Sequence, residues 1–138
     1  MSRRTAREEA FKLLYQIDVQ KESDQNILDV FYEEYEQDEK DRTYISDVVA
    51  GVTKSLSEID EIIQKSSTSW KTNRISKVNM AILRLAVYEM LKREDIPTTV
   101  SINEAVELTK TYDSIESGAF VNGVLDSVQK ILNKSPTR

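Results

Sequence analysis

Arginine and aromatic residues near the N-terminus have the types and spacing that best suit a chemical role. Three arginines occur within the first seven residues, and two aromatic residues follow on the helical stripe that Arg4 and Arg7 share: Arg3, Arg4, Arg7, Phe11 and Tyr15. The helix dipole disfavours a cation at a helix N-terminus by up to about 1 kcal/mol, so three of them need another reason. Guanidinium groups bind phosphates, and aromatic rings stack on unpaired bases. The pattern predicts a surface for single-stranded RNA, although Phe11 and Tyr15 would equally suit a wider core face.

A second candidate pair lies towards the C-terminus, where Phe120 and Asn122 belong to a predicted helix. An asparagine amide can donate to and accept from a base edge, and it is equally at home on a solvated surface. A phenylalanine in an apolar helix is more often a core residue than a ligand contact. The residues alone therefore leave both interpretations of this pair open.

The composition argues against an enzyme. The 138 residues contain no histidine and no cysteine, which removes the commonest general base, the thiolate nucleophile and the usual zinc ligands. The sequence has no glycine-rich phosphate loop. Adjacent acids such as Glu33 and Glu34 point in different directions on a helix. We predict no catalytic site, no cofactor and no metal.

Charge is strongly segregated along the chain. The net charge is −5, yet residues 1–7 carry three arginines and no acid. Residues 22–41 hold nine acids against Lys40 alone. Because phosphate binding depends on the local field, a basic arm on an acidic protein still suits a nucleic acid. No apolar run is long enough to span a bilayer, and we expect a cytoplasmic protein with no membrane partner.

Helices are the elements predicted to position these residues. Only three glycines and two prolines occur, too few turn residues for a many-stranded sandwich or barrel. Apolar periodicity predicts seven helices, and the expected start of each is residue 3, Ile27, Tyr44, Ser57, Ser76, Ser101 and Ser117. Apolar residues surround the fifth helix, so it should be central and buried. We predict an all-α fold in which residues 1–134 form one domain and residues 135–138 a disordered tail.

Two residues of the predicted core have simple structural interpretations. Trp70 is expected to anchor the core. Arg84, on the central helix, should pair with an acid, and the candidates are Glu89, Glu104 and Glu107, because an unpaired buried charge is costly.

Several co-ordered segments resemble the NusB family of bacterial transcription antitermination factors. They are the arm itself and the runs 70–75, 82–91, 102–108 and 120–126. The resemblance implies two packed three-helix groups. It also implies a protein that pairs with NusE, a small-subunit ribosomal protein, and binds the single-stranded boxA element of nascent ribosomal RNA. The complex would include elongating RNA polymerase and other Nus factors, and the family also allows a homodimer that hides the RNA surface.

The resemblance also implies which residues bind RNA. Carried over position by position, the surface comprises residues of the first and last helices: Arg3, Arg4, Arg7, Tyr15, Phe120 and Asn122. This agrees with the basic and aromatic stripe found from the residues.

Two other functions fit the sequence less well. A NusB-like domain occurs at the N-terminus of some ribosomal RNA cytosine methyltransferases, but this chain contains no α/β cofactor domain. A helical adaptor that binds only proteins would use the acidic second helix as its contact surface. Loss of RNA binding on substitution of Arg4 and Arg7 would argue against the adaptor.

Overall fold

The computed structural model describes residues 2–36, 38–67 and 75–132. Within these ranges the chain forms seven helices and no strand, which confirms the predicted all-α fold. The helices are α1 (Arg3–Gln20), α2 (Asp24–Glu34), α3 (Glu39–Lys54), α4 (Leu56–Ser66), α5 (Lys77–Lys92), α6 (Thr98–Tyr112) and α7 (Ile115–Ile131). Trp70 and the predicted tail of residues 135–138 lie outside the described residues.

Polar side chains cap most of these helices at their N-termini. The Ser76 hydroxyl accepts a hydrogen bond from the backbone amide of Asn79 at 3.1 Å, so the predicted start of α5 is confirmed. Asp38 caps α3 in the same way and starts that helix five residues before Tyr44. Two acids in the first turn of α3 favour this earlier start, because the helix dipole attracts them.

Two predicted caps are wrong. The helix α4 begins at Leu56 with Ser55 at its N-cap, so Ser57 lies inside the first turn. The helix α6 begins at Thr98, directly after Pro97, whose φ of −59° already suits a helix start. Ser101 is therefore one turn inside α6, and its hydroxyl bonds a side chain of α5 instead of its own backbone.

The helix α5 is central, as its all-round apolar pattern predicted. Ten of its 16 residues are buried, and it contacts α1, α3, α4, α6 and α7. On one side α1, α2 and α3 pack on one another, and on the other α6 lies along α7, which also contacts α4. Each fully buried aliphatic side chain contributes about 1.5–3 kcal/mol to stability, so α5 dominates the core.

Gly51 allows α3 and α5 to approach closely. A Cβ atom at this position would overlap the Tyr88 ring. The Tyr88 hydroxyl donates to Asp47 at 2.9 Å, so the ring lies across α3 with its polar end paired. None of the helices described here is long and apolar enough to cross a membrane.

Candidate nucleic-acid interface

The basic arm forms the first two turns of α1. The Ser2 hydroxyl accepts from the Thr5 amide at 3.1 Å and fixes the start of the helix. No acid occupies the first turn, so nothing local offsets the unfavourable dipole effect on the arginines. Arg4 and Tyr15 are eleven residues apart, which places them on the same face at a separation of about 16 Å along the axis.

Arg4 is an exposed member of the predicted surface. Its side chain is 73% exposed, and its guanidinium donates two hydrogen bonds to Glu104 of α6, at 2.9 and 2.7 Å. The hydrogen bond from Arg4 is the main reason why the pKa of Glu104 lies below its usual value. Exposed ion pairs contribute little net free energy, so the Arg4 guanidinium can exchange this carboxylate for a phosphate at small cost.

Arg3 lies over an aromatic ring instead of an acid. Its guanidinium carbon is 4.4 Å from the centroid of the Tyr44 ring. Tyr44 is buried in α3, and the guanidinium carbon of Arg7 is 5.9 Å from the same ring centroid. Such a cation–π contact orients Arg3 and does not neutralise its positive charge.

Arg7 is in the interior, which the sequence analysis did not anticipate. The residue is 3% exposed, and its guanidinium donates to Glu89 of α5 at 2.9 and 3.3 Å. The Ser101 hydroxyl donates to the same carboxylate at 2.7 Å, and the Tyr44 hydroxyl donates to it as well. Burial acts to lower the pKa of Arg7, but Glu89, Tyr44 and Glu104 outweigh it and the pKa is raised. Arg7 is therefore a permanent cation held inside the fold.

The two aromatic residues of α1 occupy different environments. Phe11 is 3% exposed, and its ring centroid lies 5.1 Å from that of Tyr112 in α6. Tyr15, one turn later, is 36% exposed. Of the two interpretations left open by the sequence, the core applies to Phe11, whereas Tyr15 presents part of its ring to solvent.

Phe120 and Asn122 are on α7, which packs along α6. Asn122 is exposed, and Phe120 is partly buried against the core. One face of α6 holds Glu104 against Arg4, while other residues of α6 pack on Gly118 of α7. The structure thus places Arg3, Arg4 and Tyr15 on α1 and the other pair on α7, and α6 contacts both helices.

A groove of about 260 Å³ lies between α1 and α6. Its lining comprises two cations, three acids and two further residues: Arg4, Arg7, Glu8, Glu104, Glu107, Leu108 and Thr111. Because acids outnumber cations in the lining, a phosphate inside the groove would be repelled. Phosphate contacts are better placed at the rim, where the Arg4 side chain is exposed.

Comparison with known proteins fixes the family. The model of the NusB family matches residues 4–130. The chain belongs to the NusB family. The transcription antitermination protein NusB of Acetivibrio thermocellus is 55% identical over 131 residues, which cover 95% of this chain and 90% of that protein. That of Clostridium botulinum is 46% identical over 132 residues, covering 94% and 99%.

Solved structures of the family share the fold. NusB of T. maritima superimposes with a TM-score of 0.84 at 38% identity, covering 94% of this chain and 92% of that one. A structure described as antitermination factors NusB and NusE in complex with dsRNA has a TM-score of 0.82 at 30% identity, covering 94% and 96%. The expected class, a transcription antitermination factor and not an enzyme, is confirmed by the family.

The structure shows which acid pairs with Arg84. The expected pairing with Glu89, Glu104 or Glu107 is wrong, because Arg84 donates to Asp60 of α4 at 2.8 and 2.9 Å. Five residues separate Arg84 from Glu89, so the two project about 140° apart on α5.

Sequence reasoning missed Glu89, Tyr44 and Glu104 as residues that support the basic arm. The signal for them was Arg7 itself, which lies three residues before Ala10 and seven before Leu14. At helical spacing those positions share a stripe, and both are buried. An arginine on a core stripe requires a buried acid, and Glu89 is the acid that meets it.

Proposed function

We propose that this chain is an antitermination factor that binds the boxA element of nascent ribosomal RNA together with NusE. The observation that carries the proposal is the match to the NusB family over residues 4–130. A structural neighbour at 30% identity is a complex of NusB, NusE and RNA, which supports both partners. By holding RNA and the ribosomal protein together, the chain would keep the RNA tethered to elongating RNA polymerase and other Nus factors, which suppresses termination in the cytoplasm.

The arm supplies the chemistry for RNA in this proposal. Arg3 and Arg4 are cations on the first turn of α1, and Tyr15 is exposed three turns along the face of Arg4. Phosphate contacts from the arginines would set affinity, while base stacking on Tyr15 and an amide contact from Asn122 would set preference. Phe120 is partly buried against the core, and the exposed part of its ring belongs to the proposed surface.

Arg7 enters the proposal in a different role from the other five residues. Its guanidinium already bonds Glu89 and lies 3.5 Å from Glu104. A phosphate contact would require it to leave a buried carboxylate unpaired, which is costly. We therefore assign RNA contact to Arg3, Arg4, Tyr15, Phe120 and Asn122, and a supporting position in the interior to Arg7.

Fluorescence anisotropy tests the proposal directly. Labelled single-stranded boxA, a scrambled strand and a double-stranded boxA would be titrated with the chain, with and without NusE, across a salt series. The structural neighbour holds double-stranded RNA, so the third probe tests the single-strand preference. We expect boxA to bind most tightly, NusE to strengthen binding, and added salt to weaken it. Equal binding of all three RNAs, or none, would contradict the proposal.

Matched variants locate the surface. Arg4→Ala removes one phosphate contact and should lower the salt slope by about 0.7, the value for one contact on a single strand. Tyr15→Ala should weaken binding by about 1–3 kcal/mol through lost stacking. Lys65→Ala and Tyr35→Ala are the controls, because Lys65 is an exposed cation on α4 and Tyr35 is an exposed tyrosine that follows α2. Equal losses from the controls would contradict this placement.

Oligomeric state is part of the same proposal. A homodimer that covers the arm would compete with RNA. Sedimentation at increasing protein concentration, with and without boxA, would test this, and we expect RNA to shift any dimer towards the monomer.

A further inference from the structure

We propose that Glu89, a carboxylate with no exposed surface, is the positioning residue of the RNA-binding arm. The inference deepens the proposed function and rests on it. Glu89 is 0% exposed, so RNA cannot touch it. Its influence would pass through two chains of side-chain contacts that each end at a surface arginine, Arg4 in one and Arg3 in the other.

The first chain runs from the core to Arg4. Glu89 accepts two hydrogen bonds from Arg7. The Nη1 atom of Arg7 lies 3.5 Å from Oε1 of Glu104, and Glu104 in turn receives Arg4 at 2.7 and 2.9 Å. Side-chain exposure rises along this chain, from 0% at Glu89 through 4% and 13% to 73% at Arg4. Charges alternate at each step, so each residue orients the next.

The second chain runs to Arg3 through an aromatic ring. The Tyr44 hydroxyl donates to Oε2 of Glu89, which fixes the ring plane. The Arg3 guanidinium lies 4.4 Å above that ring. Ser101 fills a remaining acceptor site of Glu89 at 2.7 Å and ties α6 to the same carboxylate. One buried group therefore holds the helices of both chains, α1, α3 and α6, against α5.

Preorganisation explains why this would matter for RNA. A flexible cation loses conformational freedom when it binds a phosphate, and that cost reduces affinity. Arg3 and Arg4 stand on the first turn of a helix, which frays readily unless it is anchored. Arg7 is the polar anchor within the next turn; its guanidinium pairs chiefly with Glu89, lies 3.5 Å from Glu104 and is 5.9 Å from the centroid of the Tyr44 ring. Loss of the Glu89 charge would release Arg7 and with it the first turn.

Glu89→Gln tests the inference, with the salt slope of boxA binding as the measurement. We expect a slope lower by about 1.4, which corresponds to two phosphate contacts on a single strand, and an affinity about tenfold lower. In the Glu89→Gln background, Arg4→Ala should cost little more, because residues in one ion-pair network are not additive. If Glu89 served only the general stability of the fold, Arg4→Ala would keep its full effect in the Glu89→Gln background. That result would overturn the proposal.

Asp60→Asn is the matched control. Asp60 forms the other bidentate carboxylate pair of α5, with Arg84 at 2.8 and 2.9 Å, and no contact joins it to the arm among the described residues. We expect its salt slope to match that of the wild type. If Asp60→Asn lowers the slope as much as Glu89→Gln does, the proposal is wrong.

A second variant and a second readout keep the test decisive. If Glu89→Gln does not fold, Tyr44→Phe combined with Ser101→Ala removes two donors from the carboxylate, and an unchanged salt slope in it overturns the proposal. Hydrogen exchange of the amides of residues 3–8 reports on the arm without RNA. We expect faster exchange in Glu89→Gln than in Asp60→Asn, and equal exchange would overturn the inference. If the wild type binds no RNA, the proposed function fails, while this exchange experiment still decides the role of Glu89.

Discussion

Both ends of α1 are joined to α5 by arginine–carboxylate pairs, but the two networks differ in burial. The N-terminal network comprises Arg4, Arg7, Tyr44, Glu89, Ser101 and Glu104, and its central pair is 4% and 0% exposed. The C-terminal network comprises Asp18, Lys21, Asp60, Lys77 and Arg84, and its central pair, Arg84 with Asp60, is 16% and 38% exposed. The same chemistry therefore occurs once in the core and once near solvent.

Burial changes what each network contributes. For an exposed ion pair, the loss of hydration nearly offsets the attraction between the two charges, so the pair contributes about 0–1 kcal/mol to stability. In the core, desolvation makes the pair costly to form, and a single surviving partner is costlier still. The N-terminal network should therefore be intolerant of single substitutions and important for the position of α1. The C-terminal network should tolerate them.

Glu89→Leu gives the largest expected effect on stability. A small effect would contradict the difference between the two networks. It leaves Arg7 buried without its main partner, and we expect a loss of about 3–5 kcal/mol in the free energy of unfolding. Urea denaturation followed by circular dichroism measures it. Asp60→Leu is the control, with an expected loss of at most about 1 kcal/mol. Equal losses would mean that burial does not distinguish the two networks.

The double variant Arg7→Met with Glu89→Leu separates the cost of an orphaned charge from the value of the pair. Two apolar side chains of similar volume can replace a buried ion pair without loss of stability. We expect the double variant to recover about 2–4 kcal/mol relative to Glu89→Leu alone. The same urea titration measures the recovery. A double variant as unstable as the single one would show that Ser101 and Tyr44, left without their acceptor, dominate the cost.

Gly51→Ala sharpens the comparison by acting on one network only. A Cβ atom at Gly51 would overlap the Tyr88 ring and push α3 away from α5. Tyr44 is on α3 and reaches Glu89, whereas the C-terminal network uses no residue of α3. We expect a loss of about 1–3 kcal/mol from overpacking, measured by thermal unfolding.

The matched control for Gly51→Ala is Gly118→Ala, where the nearest atom to an added Cβ is the flexible Lys110 side chain at 3.2 Å. That side chain can move, so the control should lose much less. A larger loss at Gly118 would contradict the account of the close approach at Gly51.

The sequence predicted the fold more fully than the site, and particular residues explain why. The all-round apolar pattern of α5 and the Ser76 cap are local signals, and both led to correct predictions. The expected Ser101 cap failed because Pro97 starts α6 earlier and frees the Ser101 hydroxyl for Glu89. The predicted partner of Arg84 was wrong because ion pairing depends on which helices pack together, and helical periodicity does not specify that packing.

The burial of Arg7 shows the same limit at the candidate site. Sequence spacing placed Arg4 and Arg7 together, and both are on the arm. Three residues correspond to about 300° of helical rotation, which leaves the two side chains about 60° apart. Arg7 therefore lies at the edge of the buried stripe and can face α5, while Arg4 lies nearer to solvent. The position of Glu89, 82 residues later in the chain, decides which of them is buried.

The smallest expected effect concerns pH and the Glu104 carboxylate, where the buried and exposed parts of the N-terminal network meet. The hydrogen bond from Arg4 holds the pKa of Glu104 below its usual value of 4.5. A lowered pKa means that the folded state favours the ionised carboxylate, so its contribution is complete above pH 4.5 and is lost as pH falls through the folded pKa. Glu104→Gln should therefore be less stable than the wild type by a constant amount at neutral pH. The difference should shrink as pH falls below 4.5, as measured by urea denaturation at a series of pH values from neutral downwards.

Glu107→Gln is the control for this pH dependence, because Glu107 is on the same helix but is exposed and pairs only with Lys110, at 3.7 Å, among the described residues. Its difference from the wild type should be small at every pH. If the Glu104→Gln difference instead grew as pH fell, the carboxylate would be stabilised in its neutral form, and the alternating charges from Glu89 to Arg4 would not describe the folded state. A difference that closes on acidification would show that Glu104 contributes through its ionised carboxylate, which accepts the two hydrogen bonds from Arg4. The alternating charges from Glu89 through Arg7 and Glu104 to Arg4 would then describe the folded state.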